Sequence, residues 1–180
     1  TALCELFLDR GAAHDAQDSF NRLTPLHYAS SYGHTAAMAL LMRRGADAGT
    51  KDKEGQTALM LASKHGKIES MGALLRVAGF VELQTQSVSG DTALHLAAKF
   101  GQAGAMELLE AAGSPDEIRN DAGDTAADIL VARELREAIK EADVAAALGA
   151  LEAGATLHQK LDAHQHTALH LAAKAGSREL

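Results

Sequence analysis

The chain has no tryptophan, one cysteine, two prolines and few phenylalanines or tyrosines, these aromatic residues making up 3% of its 180 positions. With so few aromatic side chains, a core must come from Ala, Leu and Val packed closely. A lone Cys4 cannot make an internal disulfide, which excludes a disulfide-stapled scaffold and fits a reducing compartment. No run approaches the ~18–20 apolar residues of a membrane span, and neither end reads as a signal peptide. Bases are also scarce: 17 Lys and Arg against 24 Asp and Glu leave a net charge of −7. That balance argues against a dedicated nucleic-acid binder, whose affinity rests on cations neutralising phosphates. What remains is 47% apolar, enough to fold and too much for a disordered chain.

The apolar residues come in a repeating phrase. Thr24-Pro25-Leu26-His27-Tyr28-Ala29 returns as Thr57-Ala58-Leu59-Met60-Leu61-Ala62, as Thr92-Ala93-Leu94-His95-Leu96-Ala97 and as Thr167-Ala168-Leu169-His170-Leu171-Ala172. A weaker copy begins at Thr125. The threonines are 33, 35, 33 and 42 residues apart (57−24, 92−57, 125−92, 167−125). Gly33, Gly66, Gly101 and Gly176 each follow their threonine by nine residues. A threonine hydroxyl caps the free N–H groups of a helix start, Pro25 suits the first helical position, and glycine closes a helix in the left-handed conformation. A second helix follows each glycine, with apolar residues three and four apart, as at Ala37, Leu40 and Leu41 or Met71, Leu74 and Leu75. Gly45, Gly79, Gly113 and Gly154 close these second helices, and polar turns lead on to the next threonine. Each period is therefore two antiparallel helices and a projecting turn. One such pair cannot bury its own apolar face and must stack on its neighbours.

In period and in the T-P-L-H-x-A phrase, the chain resembles the ankyrin-repeat family. The expected fold is all-α: an ankyrin-repeat solenoid of stacked antiparallel helix pairs with projecting β-hairpin-like turns. The spacing divides it into a partial repeat over about 1–20, full repeats over 21–53, 54–88 and 89–121, a long irregular repeat over 122–163 and a partial repeat over 164–180. Ala29, Ala62, Ala97 and Ala172 sit where helices approach closely, and Leu26, Leu59, Leu94 and Leu169 fill the layers between. From Thr125 to Ala142 there is neither Gly nor Pro, and two readings arise. One is an over-long first helix; the other is a junction kinked near Arg133, opening a new helix pair. The unbroken helix is preferred. The irregular ends suggest a fragment of a longer array or of a multidomain protein.

Chemistry is harder to find. The resemblance implies a structural role for His27, His95 and His170: a hydrogen bond from the helix start to the neighbouring turn, with Met60 replacing it once. His166 and His170 have the i, i+4 spacing of metal ligands, but His166 lies in the turn, and no site is assigned even with His158 and His164 nearby. Cys4, among leucines, reads as a buried small hydrophobe. The acid pairs Asp15/Asp18, Asp52/Glu54 and Asp121/Asp124 read as solvated turn residues. No phosphate loop, nucleophile elbow or acid/base pair is present, so neither catalytic residues, a metal nor a cofactor is expected.

The resemblance places a partner-binding groove along the turn tips and the ends of the first helices. Carried over by position, the groove residues are Ser31, Tyr32, Lys64, His65, Lys99, Phe100 and Lys174. Tyr32, His65 and Phe100 would form a ladder of planar side chains with lysines beside it, or would simply pack on the next turn. The turn tips contribute Phe20, Asn21, Lys53, Glu54, Gln56, Ser89, Asp91, Asp121, Asp124, His164 and His166, together with Leu23 and Val88. The expected function is a non-catalytic scaffold that binds another protein or peptide. No nucleic acid, membrane insertion or small-molecule substrate is expected, and the location is cytoplasmic or nuclear. The alternative is a regulatory or targeting domain of a larger enzyme, kinase or channel.

Overall fold

The structure, a computed structural model, describes residues 2–78, 81–155, 161 and 166–176. They form eleven helices: α1 (Ala2–Asp9), α2 (Pro25–Tyr32), α3 (Thr35–Arg43), α4 (Ala58–Lys64), α5 (Ile68–Ala78), α6 (Val81–Gln84), α7 (Ala93–Phe100), α8 (Ala103–Ala111), α9 (Ala126–Lys140), α10 (Val144–Glu152) and α11 (Ala168–Gly176). No β-strand occurs among the described residues. The chain divides into two compact units, Thr1–Thr125 and Ala126–Leu180.

In the first unit each repeat is an antiparallel pair: α2 with α3, α4 with α5, α7 with α8. The first helices α2, α4 and α7 pack in one row, and the second helices α3, α5 and α8 in another. Leu26, Leu59, Leu94, Ala29, Ala62 and Ala97 are all buried in this stack. Alanine keeps the first helices close, so a longer side chain there would have no free volume to enter.

The helix starts are built as the sequence predicts. Thr24 and Thr92 accept from the N–H of His27 and His95, while each histidine ring takes the threonine N–H in return. The far ring nitrogen, Nε2, lies 3.1 Å from the Gln56 carbonyl in one case and 3.1 Å from the Asp124 carbonyl in the other. Each histidine thus pins its own helix to the following turn. At Met60 this bond is missing and Thr57 has no side-chain cap hydrogen bond.

The turns are hairpin-like without being strands. Asp52 N donates to the Gln56 carbonyl, Ser87 N to Asp91 and Asn120 N to Asp124. Successive tips then join by one bond each, from Lys53 N to Asn21 O, Val88 N to Glu54 O and Asp121 N to Ser89 O. Two residues before the capping threonine the backbone turns left-handed at Gly55, Gly90 and Gly123, and Arg22 takes this position in the first turn with φ 58°. At Gly90 a side chain is excluded for a second reason, since a Cβ there would lie 2.7 Å from Asp121 N.

One element is not anticipated by the repeat. The 35-residue period accommodates its two extra residues before the turn, where α6 adds one helical turn and buries Leu83 and Glu82.

The second unit consists of α9, α10 and α11. Helix α9 runs unbroken past Arg133, and the Arg133–Glu137 ion pair (3.0 Å) bridges one of its turns. Asp143 caps α10, its carboxylate accepting from Ala146 N at 3.0 Å. Leu135, Ala132, Ala150 and Ala168 form the buried centre of the three helices.

Candidate functional site

The groove positions on the first unit come from the last turn of each first helix. Tyr32 ends α2, Lys64 ends α4 with His65 as its cap, and Lys99 and Phe100 end α7. Because α2, α4 and α7 lie side by side, these residues follow one another along one edge of the stack. Tyr32 is 66% exposed, and His65 and Phe100 are exposed as well. Ser31 and Lys64 are half-buried.

Two ring contacts order this edge. Lys64 Nζ sits 5.1 Å from the centre of the Phe100 ring, a cation–π contact across neighbouring repeats. Tyr32 stacks on His34, with ring centres 6.0 Å apart. Burial, reinforced by Lys64 and Lys67, holds the His65 pKa below its usual value, so His65 is a neutral donor and acceptor at physiological pH. Lys99 Nζ lies 3.5 Å from Asp91. The lysines are therefore already engaged, with a ring at Lys64 and a carboxylate at Lys99. The open chemistry of the edge is its planar side chains.

The turn tips divide into two kinds. Phe20 is 83% exposed, and Asn21, Lys53, Glu54, Val88, Ser89 and Asp121 are exposed with it. Asp91 is different: the sequence places it among the exposed tips, but it is only 2% exposed. Its carboxylate accepts from Ser89 Oγ at 3.0 Å and from Asn120 Nδ2 at 2.8 Å, the second from the next turn. Asp91 is a tie between turns. Asp52 is likewise buried rather than solvated, accepting from Glu54 N and Gln56 N at 2.9 and 2.8 Å. Asp18 in the first turn repeats this, binding Phe20 N and Asn21 N at 2.9 and 2.7 Å. Those N–H groups, Asn21 first, hold its pKa below the usual carboxylate value against the opposing effect of burial. Tyr28 also donates to Asp18 at 3.1 Å, which raises the phenol pKa. Gln56 and Asp124 are half-buried, and their carbonyls receive the histidine bonds.

Sequence reasoning missed one polar row. Gln17 Nε2 donates to the Lys51 carbonyl (3.0 Å), Lys51 Nζ to Gln86 O (2.9 Å) and Gln86 Nε2 to Arg119 O (3.1 Å). Each is the residue just before Asp18, Asp52, Ser87 or Asn120, and each reaches the same position one turn on. The signal was a long polar side chain at that one register. Cys4 also departs from expectation, being half-buried in an open apolar groove.

In the second unit Lys174 is exposed on α11, and the half-buried His166 ring lies 5.8 Å from that of His170. His164 lies outside the described residues, as does His158. Among the described residues no three His, Cys, Asp or Glu side chains gather into a metal cluster, and no helix is long and apolar enough to cross a membrane.

Family comparison gives the geometry a name. The model for ankyrin repeats in three copies matches residues 1–82, and that for a single ankyrin repeat matches 89–121. The chain belongs to the ankyrin-repeat family. Its repeats are accordingly protein-interaction units. Similar stretches occur in a transient receptor potential cation channel subfamily A member 1 homolog of Caenorhabditis elegans (45% identical over 64 residues, 36% of this chain and 5% of the relative). Others occur in a probable E3 ubiquitin-protein ligase of Oryza sativa (44%, covering 29% of this chain and 10% of the relative) and in palmitoyltransferase Hip14 of Drosophila melanogaster (47%, covering 27% and 8%). The chain spans a tenth or less of the length of each of these three relatives.

Proposed function

We propose that the chain is a non-catalytic docking module whose protein partner lies along the edge formed by Tyr32, His65 and Phe100. The single observation that carries this reading is that these three are exposed at the ends of the first helices, while the residues just before them in α4 and α7, 58–63 and 93–98, are buried. Rings supply large contact area at low entropic cost, and the row is held in place by Lys64 and His34 before any partner arrives. The exposed tips, Phe20 foremost, form the second wall, with Asn21, Lys53, Glu54, Ser89 and Asp121 around it. The preferred partner is an extended peptide rich in apolar side chains, because the lysines beside the rings are already paired. A single cysteine fits the reducing, intracellular location proposed here.

The second reading, a regulatory or targeting segment of a larger enzyme or channel, is favoured by the small share of each relative that the chain matches. The two are compatible: the first concerns the surface, the second its setting. Replacing Tyr32, His65 and Phe100 together by Ala should reduce partner capture at least ~100-fold, as hot-spot rings do, with the unfolding midpoint little changed. Capture that survives the triple substitution contradicts the assignment.

A further inference from the structure

The edge that carries Tyr32, His65 and Phe100 is not uniform in charge. Its middle repeat brings three basic side chains to one place. Lys64 closes α4 and holds its Nζ 5.1 Å from the centre of the Phe100 ring, and His65 caps the same helix. Lys67 follows the closing Gly66. Its Cδ lies 3.4 Å from where a Cβ on Gly33 would stand, so its methylene stem crosses to the close of α2, one residue from Tyr32. One repeat on, Gln102 crosses to Gly66 in the same way but carries no charge. The crossing belongs to the fold; the cation at position 67 belongs to this repeat.

No acid answers these cations. Among the described residues, lysine and arginine ion pairs join Arg44 to Asp9, Lys99 to Asp91 and Arg133 to Glu137, and none involves Lys64 or Lys67. The Phe100 ring attracts Lys64 without cancelling its charge. The excess is felt at His65, where both lysines add to burial in keeping the imidazole neutral. Around it, α2 contributes the Tyr32 phenol and α7 contributes Lys99, with Asp91 already 3.5 Å away. The first turn of α5 contributes the exposed Glu69. None of these offsets the two lysines at His65.

An uncharged imidazole between two unanswered ammonium groups, with a ring on either side, complements a carboxylate flanked by apolar side chains. We infer that the partner of this edge presents an Asp or Glu side chain to Lys64, His65 and Lys67, between apolar residues that lie on Tyr32 and Phe100, and that His65 takes up a proton as the partner binds. The inference rests on the docking edge proposed above and names the chemistry of what docks there. The rings supply contact area, and the acid fixes the register of the peptide. Once a carboxylate is in place, the charged imidazole is favoured and both of its N–H groups can donate. The bound state then keeps this proton to a higher pH than the free chain does. Affinity is therefore greatest below the free pKa of His65, itself under 6.5, and falls as pH rises through the bound value.

The test selects ligands for the full 180-residue chain from a library of random peptides about 12 residues long, at about pH 6. Selected peptides should carry an Asp or Glu between apolar residues. Resynthesised with a fluorescent label, the best should bind about tenfold tighter at about pH 5.5 than at about pH 8, as a rise of about one in the His65 pKa requires. His65→Gln should abolish that pH dependence. Lys67→Met, which keeps the stem, should weaken binding several-fold, as should changing the peptide's acid to its amide; unfolding midpoints confirm that each variant is folded. In NMR titrations the His65 signal, identified by its loss in His65→Gln, should titrate at higher pH with peptide bound. Peptides that need Tyr32 and Phe100 but carry no acid, bind equally at both pH values or leave the His65 titration unmoved overturn the inference and leave the docking edge standing. A library that yields no ligand, or only ligands indifferent to Tyr32→Ala and Phe100→Ala, contradicts the edge itself and the inference with it.

Discussion

A histidine at the third position of a helix does three jobs here, and its protonation state is fixed by them. His27 Nδ1 accepts from Thr24 N at 3.1 Å, so it carries no proton, and Nε2 must donate to the Gln56 carbonyl. Burial lowers the His27 pKa below 6.5, only partly offset by that carbonyl. The unfolded chain therefore takes up the proton first, and the stability linked to His27 is fully present above pH 6.5 and lost as pH falls below it. His27→Ala should cost about 1–3 kcal/mol at pH 7.5, because the Thr24 N–H is left unpaired in a buried site, and the deficit should shrink toward pH 5. Thermal melts across that range check it. Glu82 titrates with the opposite sign. Burial raises its pKa above 4.5; the nearby Thr57 hydroxyl, which makes no full hydrogen bond, and Lys51 oppose the rise, and Asp47 adds to it. Its contribution is intact below pH 4.5 and declines as pH rises through the folded value. Glu82→Gln should therefore stabilise the chain by about 1 kcal/mol at pH 7 and be neutral at pH 4, read from the same melts. Of these features, the histidine bonds were anticipated through the family resemblance that the recurring threonine and histidine carry. Glu82 was not: a carboxyl in an irregular stretch carries no sign of burial.

At the scale of the element, successive turns are joined to one another as the helices are, tip to tip by backbone hydrogen bonds. The left-handed positions Gly90 and Gly123 separate two effects. Gly90→Ala adds a clash with Asp121 N to the backbone penalty, whereas nothing lies within 4 Å of a Cβ at Gly123. The expected losses are about 3 kcal/mol or more at Gly90 and about 1–2 kcal/mol at Gly123, measured by urea unfolding. Equal losses would mean that the tips do not approach as closely as the bond from Asp121 N to Ser89 O requires. Helix starts and stops were readable from Thr, Pro and Gly, since local backbone chemistry dictates them. The burial of Asp91 was not readable, because its partner Asn120 lies 29 residues away and an acid in a turn ordinarily faces water. Helix α6 was visible only as two surplus residues. Spacing reveals an insertion but not the shape it takes.

For the whole molecule, the repeat separates residues that hold neighbours together from residues left free to recognise something else. Its fold was legible because one phrase, copied four times, states both the helix pair and the seam between pairs. The edge proposed to bind a partner was legible only as a position within the phrase. Side chains such as Tyr32, His65 and Phe100 vary there because the stack makes no demand on them, and for the same reason the scaffold says nothing of the partner. Urea unfolding of Ala97→Leu set beside Tyr32→Ala tests this division most directly. Ala97 is fully buried between first helices, so overpacking it should cost about 1–3 kcal/mol, while removing the exposed Tyr32 ring should change stability by about 0.5 kcal/mol or less. A chain that tolerates leucine at 97 but is strongly destabilised by the loss of Tyr32 would contradict the account.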